Sequence, residues 1–177
     1  MKKEVLSNIK YGELFSIAGI EFIKFYDENG HTVAVAKDSI GNYRFGNNNN
    51  FAESCVKKLL ETEVLPKIEE KIGGENIVEH EVDLLPLDGS DKWGKVNCKI
   101  SLPTFDFYRK NVKIFDNHKF NDWWWLATPE TTSEHYNDNW IVCVSPCGSI
   151  YFYNYDIEIG VRPFLIFVSS ISVSCKE

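Results

Sequence analysis

Apolar and polar positions divide this chain into three regimes. In the first, β-forming residues come in short runs broken by turn residues. Ile20-Glu21-Phe22-Ile23-Lys24-Phe25-Tyr26 is one such run, Asp27-Glu28-Asn29-Gly30 reads as a turn, and Thr32-Val33-Ala34-Val35-Ala36 returns. That is a hairpin pattern. Gly12 to Ile17 supplies a shorter strand ahead of it, with Ala18-Gly19 as the corner. The spacing then turns helical. Phe51, Cys55, Val56, Leu59, Leu60, Leu65, Ile68 and Ile72 share one face, which predicts a principal helix over about residues 51–72. Asn50 is placed as its N-cap, with Glu53 three residues on as in a capping box. Pro66 should kink the helix and Gly73-Gly74 should end it.

The third regime is again extended. Residues 81–87 and 93–100 flank a loop at Asp88-Gly89-Ser90-Asp91, and Pro103 can open a short helix through Arg109. Beyond residue 123 the chain is β-rich. Trp140 to Val144 and Ser149 to Tyr153 are strands around the turn Ser145-Pro146-Cys147-Gly148, and Val161 to Val168 reads as one buried central strand. No repeat or linker interrupts the pattern, so the expectation is one α+β domain spanning residues 1–177.

Trp123-Trp124-Trp125 is the least expected feature. Neighbouring strand residues point to opposite faces, so three tryptophans in a row need apolar cover on both. Two are expected in the core, with Trp124 lining a groove. Arg162 stands in an apolar segment, Gly160-Val161-Arg162-Pro163-Phe164. A guanidinium there needs a carboxylate or backbone carbonyls for its donors, or else serves as an anion-binding group beside a tryptophan face.

Composition narrows the function classes. Hydrophobic content of 44% with 14% aromatics indicates a folded chain, and no apolar run is long enough to span a membrane. The net charge of −7 argues against direct nucleic-acid binding and suits docking on a basic surface. Lysines follow Met1, but no apolar stretch of signal-peptide length comes after them, which points to the cytoplasm. Five cysteines at irregular spacing are then expected as free thiols. Cys143 lies mid-strand, and Cys147 has no basic neighbour in sequence to lower its pKa. No phosphate loop, His-Glu-x-x-His or serine elbow is present, so no catalytic residue, cofactor or metal is assigned. Asn137-Asp138-Asn139 offers oxygen ligands for calcium but lacks a complementary motif.

The order of elements, with Trp124-Trp125-Leu126-Ala127-Thr128-Pro129 followed by Gly160-Val161-Arg162-Pro163-Phe164-Leu165, resembles a family from gut Firmicutes and their phages. That family carries Trp-Trp-Leu-Arg-Ser-Pro and Gly-Val-Arg-Pro-Ala-Leu motifs. The resemblance implies a C-type-lectin-like fold, as in formylglycine-generating enzymes and phage tropism determinants: a small, twisted, mostly antiparallel sheet, one principal helix and long loops. The chain departs from the motifs at Ala127 and Phe164. The fold alone assigns no activity.

Alternation along Tyr151, Tyr153 and Tyr155 adds an aromatic stripe suited to protein contact. The resulting expectation is a non-catalytic binding module of phage or gut-bacterial origin. It would recognise a protein or small ligand through Trp124, Trp140, Tyr151, Tyr153, Tyr155 and Arg162. The alternative is a phage-encoded inhibitor of a host defence protein, such as a CRISPR effector, docking through an acidic surface. A cysteine- or metal-dependent enzyme ranks behind both.

Overall fold

The computed structural model describes residues 2–133 and 139–175. The first strands are β1 (Lys2–Val5), β2 (Leu14–Ile17), β3 (Ile20–Glu28), β4 (His31–Ala36) and β5 (Asn42–Arg44). The β3–β4 hairpin turns at Asn29 and Gly30, with φ of 51° and 78°. Two left-handed residues match the twist of the flanking strands, which is why Asn-Gly serves here.

The principal helix is less regular than its periodicity predicts. Asn50 caps a 3-10 turn, Phe51–Glu53, by accepting from the Ala52 N–H at 3.0 Å. The α-helix proper begins one step later, where Ser54 Oγ accepts from the Lys57 N–H at 2.9 Å. Ser54 is therefore its N-cap, not Asn50. The helix runs as α1 (Cys55–Leu59), a π-turn over Leu60–Val64, and α2 (Leu65–Ile72). Pro66 explains the π-turn. Its ring has no N–H to give and would collide with the carbonyl four residues back, and a wider turn relieves both problems without a sharp kink.

The chain continues through β6 (His80–Asp83), β7 (Lys95–Cys98) and β8 (Ile100–Ser101) to two short helices, α3 (Phe105–Lys110) and α4 (Val112–Asn117). It ends in β9 (Trp124–Pro129), β10 (Trp140–Val144), β11 (Ile150–Asn154), β12 (Glu158–Gly160), β13 (Phe164–Val168) and β14 (Ser172–Cys175). The fold class is α+β with mostly antiparallel sheets and one main helix. The sheet is not small. A seven-stranded sheet runs β1-β14-β2-β3-β4-β13-β8, and a five-stranded one runs β11-β10-β9-β12-β5, with β6-β7 as a separate pair.

The apolar run from Val161 to Val168 is not one strand. Strand β12 belongs to the five-stranded sheet and β13 to the seven-stranded one. Val161-Arg162-Pro163 crosses between them, because proline cannot donate to a ladder. Arg162 and the tryptophans therefore do not share a sheet.

Alternation along β9 divides the core. Trp125 and Ala127 join Phe15, Phe22, Phe167 and the α1–α2 face residues Val56, Leu60 and Ile68. Trp124 and Leu126 join Phe25, Val35 and the α3–α4 residues Tyr108 and Phe115. The helices thus cover opposite faces, which is the double cover that the tryptophan run requires. Ala127 is fully buried, so the motif's arginine at this position would place a charge in the core.

The two sequence motifs meet at Gly160. Its N–H donates to the Trp123 carbonyl at 2.8 Å. A Cβ there would lie only 2.8 Å from that same oxygen, a backbone atom that cannot step aside. Gly160→Ala is expected to cost about 1–3 kcal/mol by overpacking, read as a lower urea midpoint at unchanged slope.

Candidate functional site

The six residues singled out from sequence fall into two places, and a third place is built around a cysteine that was not among them. The first is a buried cleft that joins Arg162 to Trp124. Arg162 is 1% exposed. Its Nε donates to the Ala36 carbonyl at 3.0 Å, while the Ala36 N–H donates to the Pro163 carbonyl at 2.8 Å. The guanidinium carbon lies 4.5 Å from the Trp124 ring centre, 5.3 Å from Phe115 and 5.7 Å from Phe120. Arg162 thus meets the tryptophan run, and one of its donors has a backbone carbonyl, as a buried guanidinium requires. Each ring contributes cation–π attraction of roughly 0.5–2 kcal/mol.

No carboxylate reaches ion-pair distance of Arg162 among the described residues. Nη2 is buried without an acceptor. Burial lowers the guanidinium pKa to about 10, opposed by Asp38 and Tyr108, so it stays charged at neutral pH. Sequence reading missed the other half of this enclosure. Phe115 comes from α4, a helix whose start has no side-chain cap to announce it.

The second place is the β10–β11 hairpin, both faces of which pack partly against the core. Tyr151 and Tyr153 lie across from Cys143 and Ile141. Both rings meet Trp123 edge-on at 5.0 Å. Tyr153 and Tyr155 are half-buried against the core, so only Tyr151, 50% exposed, offers much contact area. Trp140 stands apart from this stripe. It shares the opposite face with Phe152, since their cross-strand partners Asn154 and Val142 alternate with those of the tyrosines. Trp140 is 42% exposed and Phe152, not anticipated from sequence, is 37% exposed.

The loop before β10 is anchored by the asparagine tract. The fully buried Asn49 donates from Nδ2 to the carbonyls of Thr131 at 2.8 Å and Trp140 at 3.2 Å, and accepts from Trp93 Nε1 at 2.9 Å. The calcium candidates Asn137 and Asp138 lie outside the described residues.

The third place is the turn between β10 and β11. All five cysteines are free. Burial pushes Cys143 up to about 12 and Cys98 up to about 11. Cys147 behaves differently from the expectation. Its exposed sulfur lies 3.1 Å from Ser145 Oγ and 3.3 Å from Ser149 Oγ, and these hydroxyls bring its pKa down to about 7. No basic neighbour is needed, because a hydroxyl that donates to the thiolate stabilises it. At pH 7 about half of Cys147 is ionised, against about 3% of an ordinary thiol. After allowing for the lower nucleophilicity of a low-pKa sulfur, alkylation is expected about three- to fourfold faster than at an ordinary exposed thiol. Mass-spectrometric time courses with iodoacetamide should show this advantage disappearing in Ser145→Ala/Ser149→Ala. Equal rates at Cys147 and the exposed Cys55 would contradict it.

Comparison of the chain with protein-family models, curated proteins and solved structures found no match. The lectin-like resemblance therefore rests on the two motifs and the order of elements, and the roles of these residues rest on their geometry.

Proposed function

We propose that this protein is a non-catalytic binding module that grips a protein partner through the β10–β11 hairpin. The observation that carries the reading is the exposure of Trp140, Tyr151 and Phe152 on the outermost strand pair of the five-stranded sheet. Large aromatic side chains supply contact area at low entropic cost. An outermost strand also presents unpaired backbone groups to a partner segment. An extended chain laid along β11 would meet Tyr151 on one face and Phe152 on the other.

A photocrosslinking residue placed at position 152 in the producing cell tests this. A discrete protein adduct is expected that is absent when the crosslinker sits on the exposed helix position Glu63, and that is lost with Tyr151→Asp. No adduct, or the same adducts from both positions, would overturn the reading. The net charge of −7 favours a second reading, a phage-encoded inhibitor docking an acidic surface on a basic defence protein. Salt separates the two, since raised ionic strength weakens charge-driven docking far more than aromatic burial.

A further inference from the structure

Among the described residues, strand β11 is the one sheet edge left without protection. It has no strand on its outer side, and its register against β10 runs unbroken from Ile150 to Asn154. The segment Ile-Tyr-Phe-Tyr-Asn holds no charge, no proline and no glycine. Edges in soluble proteins are usually shortened, charged or bent, because a straight uncharged edge pairs with another chain. The other edges here follow that rule. Strand β1 carries Lys2, Lys3 and Glu4, β5 is three residues long and includes Arg44, and β8 is two residues long. The β6–β7 pair carries Glu81, Asp83 and Lys95.

Hydrogen-bond parity fixes what the β11 edge offers. The Tyr155 N–H donates to the Asn139 carbonyl at 2.9 Å, and the Ser149 carbonyl accepts from the Ser145 N–H at 2.9 Å. Bonds of an antiparallel ladder fall on alternate residues. Tyr151 and Tyr153 therefore turn their backbone groups to β10, and Ile150, Phe152 and Asn154 turn theirs outward. Of these outward groups the Asn154 carbonyl alone is engaged among the described residues, by the Ile157 N–H at 3.1 Å. Phe152 is both outward-facing and the middle residue of the strand. A two-fold axis through it sets each outward group opposite its complement on an identical strand.

We infer, on the hairpin reading above, that β11 pairs antiparallel with β11 of a second copy, so that two five-stranded sheets become one. At the axis the two Phe152 residues exchange both N–H···O bonds. On either side each Asn154 N–H meets the second copy's Ile150 carbonyl. Tyr151 then lies opposite the second copy's Tyr153. Trp123 meets both tyrosines edge-on at 5.0 Å, so the aromatic row continues across the axis. Phe152, 37% exposed, packs on its own symmetry mate. Two chains of net charge −7 thus meet along a segment where neither carries a charge. A single strand pair is a small interface, so the dissociation constant should be on the order of 10 µM.

The test is sedimentation of the purified chain from about 1 to about 500 µM, a range that brackets this constant. The mean mass should rise from 20.4 kDa toward twice that value. High salt should move the rise to lower concentration, since screening weakens the repulsion between like-charged copies. Phe152→Lys sets two ammonium groups face to face and should leave the chain monomeric, as should Phe152→Glu. An equimolar mixture of these two variants should associate again, which requires position 152 to face itself. Leu85→Lys, at an exposed apolar residue outside the hairpin, should associate like the parent. A mass fixed at one chain, a dimer that survives Phe152→Lys, or a mixture that stays monomeric overturns the pairing. Should the variants not fold, the concentration series on the parent decides with the crosslinked adduct. An adduct of twice the chain's mass from position 152 supports self-pairing. An adduct of a monomeric chain with another protein keeps the hairpin reading and removes self-pairing. No adduct from a monomeric chain removes both.

Discussion

Lys24→Met is expected to lower the unfolding free energy by about 1.5–3 kcal/mol, since it takes a charged donor from a buried carbonyl and from Asp27, whose side chain is 27% exposed. Lys24 is fully buried although it sits in β3 between core residues. Its Nζ lies 2.7 Å from Asp27 Oδ2 and donates to the Leu6 carbonyl at 2.9 Å, with the Ser7 carbonyl at 3.5 Å. A ladder irregularity between Lys24 and Tyr26 accompanies this inward placement. Methionine fills similar space but leaves the Leu6 carbonyl and Asp27 without their donor. Asp27 keeps Thr32 Oγ1, so Lys24→Met/Asp27→Asn should regain part of the loss. Urea melts of the single and double variants measure this. Because the amine is shielded from solvent, the loss should persist in high salt. A Lys24→Met midpoint within error of the parent would show that the buried amine contributes nothing.

Lys24 also marks where sequence patterning stops. The hairpin around Asn29-Gly30 was legible because each strand carries its own β-formers and the turn carries its own φ preference. The helix was legible as a stripe of eight apolar positions, but its start was not: Asn50 and Ser54 are both good caps, and only packing decides which one opens the α-helix. The inward lysine broke the polar-out expectation, since the Leu6 carbonyl is brought to it by tertiary structure, and Asp27, three residues on, accompanies it only across the ladder irregularity between Lys24 and Tyr26. Strands β1, β5, β12 and β14 are short and owe their extension to neighbours rather than to local propensity. In Val161–Val168 the break was written in the sequence as Pro163, yet the apolar residues on either side concealed that the strand begins only at Phe164.

The site was legible to a similar depth. Tryptophan and arginine are each costly enough to place alone that their meeting followed from two motifs. Phe115 and Phe120 did not, because nothing local ties residues 112–120 to residue 162. Cys147 was misread for another reason: Ser145 and Ser149 were in plain view, but only charged neighbours were weighed as a cause of a lowered pKa. Of the tyrosine stripe, Tyr151 and Tyr153 alternate on one face of β11, whereas Tyr155 lies past the strand's end, and both Tyr153 and Tyr155 are half-buried against the core.

The tryptophans give the second large effect, and their ranking tests the whole partition of surface from core. Trp125 is fully buried, meets Phe45 edge-on at 5.6 Å, and donates from Nε1 to the Tyr43 carbonyl at 2.9 Å. Trp125→Ala is expected to cost about 3–5 kcal/mol through lost transfer and a residual cavity. Trp125→Phe keeps most of the volume and loses the hydrogen bond, about 1 kcal/mol of the total, plus the unfilled remainder of the ring. Trp123 is only half-buried, and its removal forfeits two edge-on contacts with Tyr151 and Tyr153, worth roughly 0.5–1.5 kcal/mol each. Trp140→Ala should change stability by no more than about 0.5 kcal/mol, as at an ordinary surface position. Denaturant melts of the three alanine variants should therefore rank Trp125 above Trp123 above Trp140. If Trp140→Ala costs as much as Trp125→Ala, its ring is structural. The hairpin surface then loses one of its three exposed aromatics, and with it much of the case for partner docking there.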